Sequence, residues 1–184
     1  MANTTIPKTS FNTDEDAELV RLLEKVRTDK GRTPSQRSFE ALCAARNLPA
    51  TELVILGPQG ILLCVYGDGV QQFAGQWHVP GGYTGLGNLT LEDDCNAVAK
   101  RELGIEVRWI RVIDAYKWLH GAEHPHGAPV SIYMHCRPED DVVETDTRKF
   151  FPINQLPANM ILPQRRFVEK HAHSLQIWQF EGMP

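Results

Sequence analysis

The stretch from Pro80 to Val107 constrains the fold more than any other part of the chain. It opens with Pro80-Gly81-Gly82, passes through a loop containing Gly85 and Gly87, and enters a segment marked at both ends. Thr90 is a good N-cap, and Asp93 at the third helical position makes a variant of the capping box. Gly104 is placed to adopt the left-handed conformation that ends a helix, and Ile105 resumes apolar sequence. The spacing predicts a helix over Leu91–Leu103. At about 100° per residue, Leu91, Cys95, Val98 and Glu102 fall within ~40° of one another, so Glu102 is expected on the apolar, core-facing stripe. A carboxylate there sits at the negative end of the helix dipole and loses solvation. Mg2+ would offset both penalties, and so would an Arg or a Lys. Gly81 and Gly82 allow close backbone approach to a ligand, and a Gly-rich loop leading into a helix N-terminus can hold phosphate on its N–H groups.

Upstream, Leu19, Leu22, Leu23 and Val26 recur at helical spacing, which predicts a helix over Asp14–Arg27 led by Asp14, Glu15 and Asp16. A second helix is expected over Pro34–Arg46, ended by Pro49. Residues 1–48 thus form an N-terminal helical extension, and 49–184 the main domain. The pattern then turns to strands. Glu52–Leu56 and Ile61–Tyr66 flank Gly57-Pro58-Gln59-Gly60, a hairpin signature. Trp77-His78-Val79 reads as a short strand into Pro80. Further strands are expected at Ile105–Val112, Asp114–Leu119 and Val130–Arg137, an edge segment at Phe150-Phe151-Pro152, and a last helix over Gln164–Ala172. Strands and helices mix without a regular βαβ repeat, which gives an α/β domain with a mixed sheet.

Composition removes several classes of function. The chain has 184 residues, enough for one domain with a short appendage. Its formal net charge of -4 supplies no attraction to nucleic acid or an anionic membrane. No apolar run approaches the ~20 residues of a membrane span, and the N-terminus lacks the apolar core of a signal peptide. Cys43, Cys64, Cys95 and Cys136 form no CxxC pair and read as reduced core thiols, which fits a cytoplasmic protein.

Gly75-Gln76-Trp77-His78-Val79-Pro80-Gly81-Gly82, the loop, and the helix ending Arg101-Glu102-Leu103-Gly104-Ile105 resemble the Nudix hydrolase superfamily. Phe150-Phe151-Pro152-Ile153-Asn154-Gln155-Leu156-Pro157 resembles the aromatic-Phe-x-x-x-x-Leu-Pro stretch often found before that family's final helix. The resemblance spans about 50–172 and implies a Nudix-type α/β/α sandwich around a mixed β-sheet. The family's box reads G-x5-E-x7-R-E-U-x-E-E-x-G-U, where U is a bulky aliphatic residue. Here Gly82 matches its first Gly, but Asn88 stands where the first Glu is expected, and the interval to Gly104 is one residue longer. Counting back from Gly104, Glu102 matches the last Glu and Arg101 replaces the other, while Ala97 and Val98 stand in place of Arg-Glu. The Arg common at the end of the hairpin is missing from Leu62–Gly67. This eroded box looks closest to the GDP-mannose mannosyl hydrolase branch. That resemblance implies a metal-binding Glu at Glu102, a metal-binding carbonyl at Gly81, Mg2+ (Mn2+ as a substitute) bound together with the substrate diphosphate, and a loop His as general base.

The loop histidines His120, His124 and His126 lie before His135 on an expected strand. The Glu123-His124-Pro125-x-Gly127 run resembles a segment of sugar-nucleotide Nudix proteins. An imidazole titrating near neutrality suits proton abstraction from water. Three solvated loop residues are the plainer reading, and a His-only zinc site the third. His124 is the chosen catalytic base beside Glu102. Gly82, Tyr83, Trp77 and Trp118 are the chosen substrate contacts, although each aromatic ring also suits core packing.

These observations give an expected function: Mg2+-dependent hydrolysis of a nucleoside diphosphate-linked substrate such as a nucleotide sugar. Two rivals remain. One is an inactive Nudix-fold protein that binds a nucleotide or metabolite, in which Arg101 or Lys100 turns inward to pair Glu102. The other is an interaction protein that works through its N-terminal helices, which also offer a homodimer contact.

Overall fold

The computed structural model describes residues 13–28, 49–67, 72–84, 90–119, 122–124 and 128–180. In chain order the elements are α1 (Thr13–Thr28), β1 (Pro49–Gly57), β2 (Gly60–Val65), β3 (Trp77–His78), β4 (Gly81–Tyr83), α2 (Leu91–Glu102), β5 (Val107–Lys117), β6 (Val130–Pro138), β7 (Arg148–Phe151) and α3 (Leu162–Trp178). The helix expected over Pro34–Arg46 lies outside the described residues. α1 forms as expected, but Leu19 and Leu22 on its apolar stripe are exposed. Among the described residues, no helix is long and apolar enough to cross a membrane.

The sheet has the order β3-β2-β1-β6-β5, with β4 joined to β1 and β7 to β2. It is mixed because β1 runs parallel to β6 from Pro49↔Val130 to Ile55↔Cys136, while the other pairings are antiparallel. On its other edge β1 is shared. Its first half pairs with β4, Glu52 opposite Gly81 and Thr51 opposite Gly82, and its last residues turn through the hairpin into β2. That split edge brings the Pro80-Gly81-Gly82 segment against the start of the central strand.

Successive side chains on a strand point to opposite faces, and both faces here are covered. Leu53, Ile55, Leu62, Cys64, Met134 and Cys136 face α2 and pack on Cys95, Val98, Ala99 and Leu103. Val54, Ile61, Leu63 and Tyr133 face α3 and pack on Phe167, Val168 and Leu175. A strand buried on both sides reads as a continuous apolar run, which is why β1 and β2 stand out in the sequence. Each fully buried Leu, Ile or Val contributes about 1.5–3 kcal/mol. The tightest ring contact is between Tyr133 and Phe167, stacked at 3.6 Å. Cys64, Cys95 and Cys136 are free and buried, as expected for core thiols.

α2 is capped as its sequence predicts. The Thr90 hydroxyl accepts from the Asp93 N–H, and the Asp93 carboxylate accepts from the Thr90 N–H. At the other end Gly104 takes φ +71°, and Arg148 donates to the Leu103 carbonyl at 2.6 Å. Three expectations need correction. The strands expected at Ile105–Val112 and Asp114–Leu119 are one strand, β5, whose pairing with β6 shifts between Trp109 and Arg111 and again between Val112 and Asp114. Those bulges reset the alternation, so one strand reads as two. α3 continues past Ala172 to Trp178. Glu102 is not on the buried stripe: it is the last residue of α2, its side chain is 30% exposed, and the core position falls to Leu103.

Candidate functional site

Glu52 opens the apolar run of β1, and its carboxyl lies under β4. A Cβ on Gly81 would overlap Glu52 Oε2, so only glycine leaves room for that group. Glu52 is 5% exposed. Its Oε1 accepts from Ser131 Oγ at 2.7 Å and its Oε2 from Gln164 Nε2 at 3.0 Å. Those donors are held in turn. Ser131 Oγ accepts from Trp118 Nε1 at 2.8 Å, and Gln164 Oε1 accepts from the Val79 N–H at 2.8 Å. Loss of solvation pushes the Glu52 carboxyl from 4.5 up to about 8; the Ser131 hydrogen bond opposes the shift and the charge of Glu102 adds to it. Glu52 therefore holds its proton to much higher pH than an ordinary carboxyl, in the floor of a cleft.

The same floor carries His78 from β3. It is buried, and its Nδ1 donates to the Val79 carbonyl at 2.8 Å, which leaves Nε2 as the acceptor. Burial lowers its pKa, against smaller opposing effects from that hydrogen bond and from Glu102. The wall is aromatic. Phe73 meets Trp118 at 6.0 Å and His124 at 5.8 Å between ring centroids, and His124 meets Trp118 edge-on at 5.6 Å. Tyr83 Oη lies 3.5 Å from His124 Nε2. The neighbouring Glu123 is anchored: its carboxylate accepts from Tyr116 Oη at 2.8 Å and from the Leu119 N–H at 2.9 Å, and pairs with Arg166 at 3.3 Å.

Two adjoining pockets result, which together form the cleft. Glu52, Phe73, Trp118, His124, Ser131 and Gln164 line its deep part, Arg101 and Glu102 its outer corner, and Tyr66, His78, Gly81, Gly82 and Tyr83 line both. At the corner Arg101 Nε donates to Glu102 Oε1 at 2.8 Å, and Arg101 Nη2 donates to the Gly81 carbonyl at 3.2 Å. A Cβ on Gly82 would overlap that Nη2. The two glycines thus make room for groups of the chain itself: Gly81 for Glu52, Gly82 for Arg101.

No family model matches the sequence, and no curated protein matches it. Solved structures do. An ADP-ribose pyrophosphatase from Streptococcus suis superposes with a TM-score of 0.51 at 22% identity, covering 76% of this chain and 97% of that one. A UDP-X diphosphatase gives 0.54 at 18% identity, covering 96% and 86%. A Nudix hydrolase from Nitrosomonas europaea gives 0.56 at 14% identity, covering 70% and 90%. The chain has the Nudix hydrolase fold.

Within this Nudix fold, the structure brings Gly81, Gly82, Tyr83, Glu102, Trp118 and His124 to the cleft. It does not bring Trp77. Because His78 faces the cleft, the neighbouring side chain points the other way, and Trp77 packs on Phe151 at 4.8 Å. His120 and His126 lie outside the described residues. His135 is buried and stacks on Trp178 at 5.9 Å, away from the cleft. Glu52, His78, Ser131 and Gln164 were missed by sequence reasoning. Glu52 alone left a signal, as a carboxylate opening a run that is otherwise apolar.

The expectation drawn from the eroded box puts Mg2+ on Glu102 and the Gly81 carbonyl. Both atoms do point to one place, and Arg101 is there. Among the described residues no three His, Cys, Asp or Glu side chains cluster as a metal would need. Glu92, Asp93 and Asp94 cannot close the gap, since Asp94 precedes Glu102 by eight residues of α2, about 12 Å of helix. As arranged, this donor set does not fit a divalent metal.

Proposed function

We propose that this protein hydrolyses a small nucleoside diphosphate-linked molecule, such as a nucleotide sugar. The supporting observation is that an aromatic-lined pocket adjoins a second pocket carrying the Arg101–Glu102 ion pair. Tyr66 and Tyr83 are partly exposed and offer ring faces and edges for a base or sugar, backed by the buried Trp118 and Phe73, and Arg101 offers a guanidinium where a diphosphate would lie. The names of the superposed structures, an ADP-ribose pyrophosphatase and a UDP-X diphosphatase, agree with that substrate class.

In this scheme His124 removes a proton from the attacking water. The aromatic wall and the Glu123-anchored loop hold its ring in place. Glu102 orients Arg101, whose guanidinium neutralises the diphosphate as it leaves. The buried Glu52 and its donors Ser131 and Gln164 tie the floor together. The expected Mg2+ takes no step, because the donors meant to hold it are engaged by Arg101. The protein's free, buried core thiols suit the cytoplasm.

The test is 31P NMR on a panel of nucleoside diphosphate sugars, in Mg2+ and in EDTA, with His124→Asn and Glu102→Gln beside the wild type. Turnover by the wild type, reduced in both variants, supports the hydrolase. Silence across the panel sinks it. A second reading, an inactive protein that binds the same ligands, is favoured by the inward Arg101–Glu102 pair, and binding without turnover would establish it.

A further inference from the structure

We propose that Arg101 is the built-in cation of this cleft, so that the diphosphate is recognised without a divalent metal. The inference rests on the proposed class of substrate, a diphosphate-linked small molecule, but not on its hydrolysis.

Four observations carry it. The guanidinium is bound by the two atoms that the Nudix resemblance assigns to the metal, Glu102 Oε1 at 2.8 Å and the Gly81 carbonyl at 3.2 Å. Gly82 leaves room for it, since an added Cβ would displace Nη2. Its donors are not used up. A guanidinium has five N–H groups, and Glu102 and Gly81 take one each. The Arg101 side chain is 52% exposed, so the remaining donors reach the cleft and can grip two phosphate oxygens side by side. Finally, among the described residues no group of three or more His, Cys, Asp or Glu side chains gathers at the corner to tip the balance towards a metal.

The charge is also permanent. A guanidinium stays protonated at any physiological pH. A divalent ion seeking the same oxygens would have to enter against that positive charge and assemble a near-octahedral oxygen shell around a donor pair already in use. Arg101 stands where the family motif has a second carboxylate. One substitution at that position therefore removes a metal ligand and supplies a cation.

The experiment measures metal and anion binding directly, without turnover. Mn2+ binding is followed by electron paramagnetic resonance, and pyrophosphate and ADP binding by calorimetry in EDTA and in Mg2+. Wild-type protein is compared with Arg101→Gln and Arg101→Glu. The wild type is expected to hold no Mn2+ at ligand concentrations of about 100 µM, and to bind pyrophosphate in EDTA with no gain when Mg2+ is added. Arg101→Gln is expected to weaken that binding by about tenfold or more, the effect of losing charge-assisted hydrogen bonds. Arg101→Glu restores a carboxylate pair and is expected to begin holding Mn2+. Stoichiometric Mn2+ on the wild type, anion binding that appears only with Mg2+, or unchanged affinity in Arg101→Gln would each overturn the proposal. Pyrophosphate bound in EDTA with no sugar nucleotide hydrolysed would refute the hydrolase and leave this inference standing.

Discussion

The Arg101 guanidinium fills the space that a Cβ on Gly82 would need, and Nη2 is the atom that meets it. On the preceding residue the obstacle is the carboxyl of Glu52 together with the Thr51 carbonyl at 2.9 Å. Two adjacent glycines are thus required by different neighbours, one flexible and one fixed.

Substituting each glycine separates those roles. In Gly82→Ala the end of a long exposed side chain swings away, so thermal stability holds within about 1 kcal/mol while pyrophosphate binding falls. In Gly81→Ala the added methyl meets a buried carboxyl and backbone, and the cost is about 1–3 kcal/mol. Differential scanning calorimetry on both variants checks this. Equal losses would contradict it.

Glu52 ties stability to pH. Its carboxyl titrates near 4.5 when unfolded and at about 8 in the fold. Between those values the native state keeps a proton that the unfolded chain has lost. Its contribution is complete below about pH 4.5 and is lost as pH rises through about 8. Glu52→Gln removes the titrating group. The Tm of the wild type is therefore expected to drop more than that of Glu52→Gln between pH 5 and pH 8, about a window of three units. Parallel melting curves would show that burial of Glu52 does not set the slope.

Asp114 has the opposite sign. Hydrogen bonds from Lys170 at 2.6 Å and His171 at 2.8 Å hold its carboxyl down to about 2. The stability it supplies is present above its ordinary 3.8 and is lost as pH falls through about 2. Lys170 is largely in solvent, so screening limits the effect to about 1 kcal/mol or less. Asp114→Asn is expected to be less stable than the wild type at neutral pH. The two should converge in acid, and high salt should narrow the gap. Urea titrations at several pH values read this.

His124→Asn is expected to lower turnover by about 10²–10⁴-fold, the range for loss of a general base. The Tm should barely move, because His124 sits at the cleft wall and Glu123 continues to hold the loop. If turnover persists unchanged, the base lies elsewhere, and His78 with its acceptor Nε2 is the first alternative in the cleft.

The frame of this molecule is legible in its residues because local rules and burial agree there. Thr90, Asp93 and Gly104 cap α2 where the sequence places the caps. The apolar runs of β1 and β2 are buried on both faces, and the Gly57–Gly60 turn joins them. The site was legible only in part. His124, Tyr83 and Trp118 were singled out as chemistry-bearing residues near the Gly-Gly turn, and the fold gathers them. Trp77 was misplaced because a two-residue strand offers too little alternation to say which neighbour faces the cleft. Glu102 was placed on the buried stripe because helical spacing ignores where the helix stops. The floor was invisible for another reason. Glu52, Ser131 and Gln164 lie 79 and 112 positions apart in sequence, and each looks ordinary until the parallel pairing of β1 with β6 and the packing of α3 bring them together.

The line of hydrogen bonds from Trp118 through Ser131, Glu52 and Gln164 to the Val79 N–H crosses residues beyond β5, on β6, on β1, on α3 and before β4. A change in any one leaves a buried donor or acceptor stranded in its neighbour. Substitutions along this line are therefore coupled, and a lineage can explore them only in concert. Trp118 aside, the rings of the aromatic wall lie off this line and can be exchanged one at a time. New ligand preferences are thus reached through Phe73, Tyr83 and the His124 loop, while the floor stays the same.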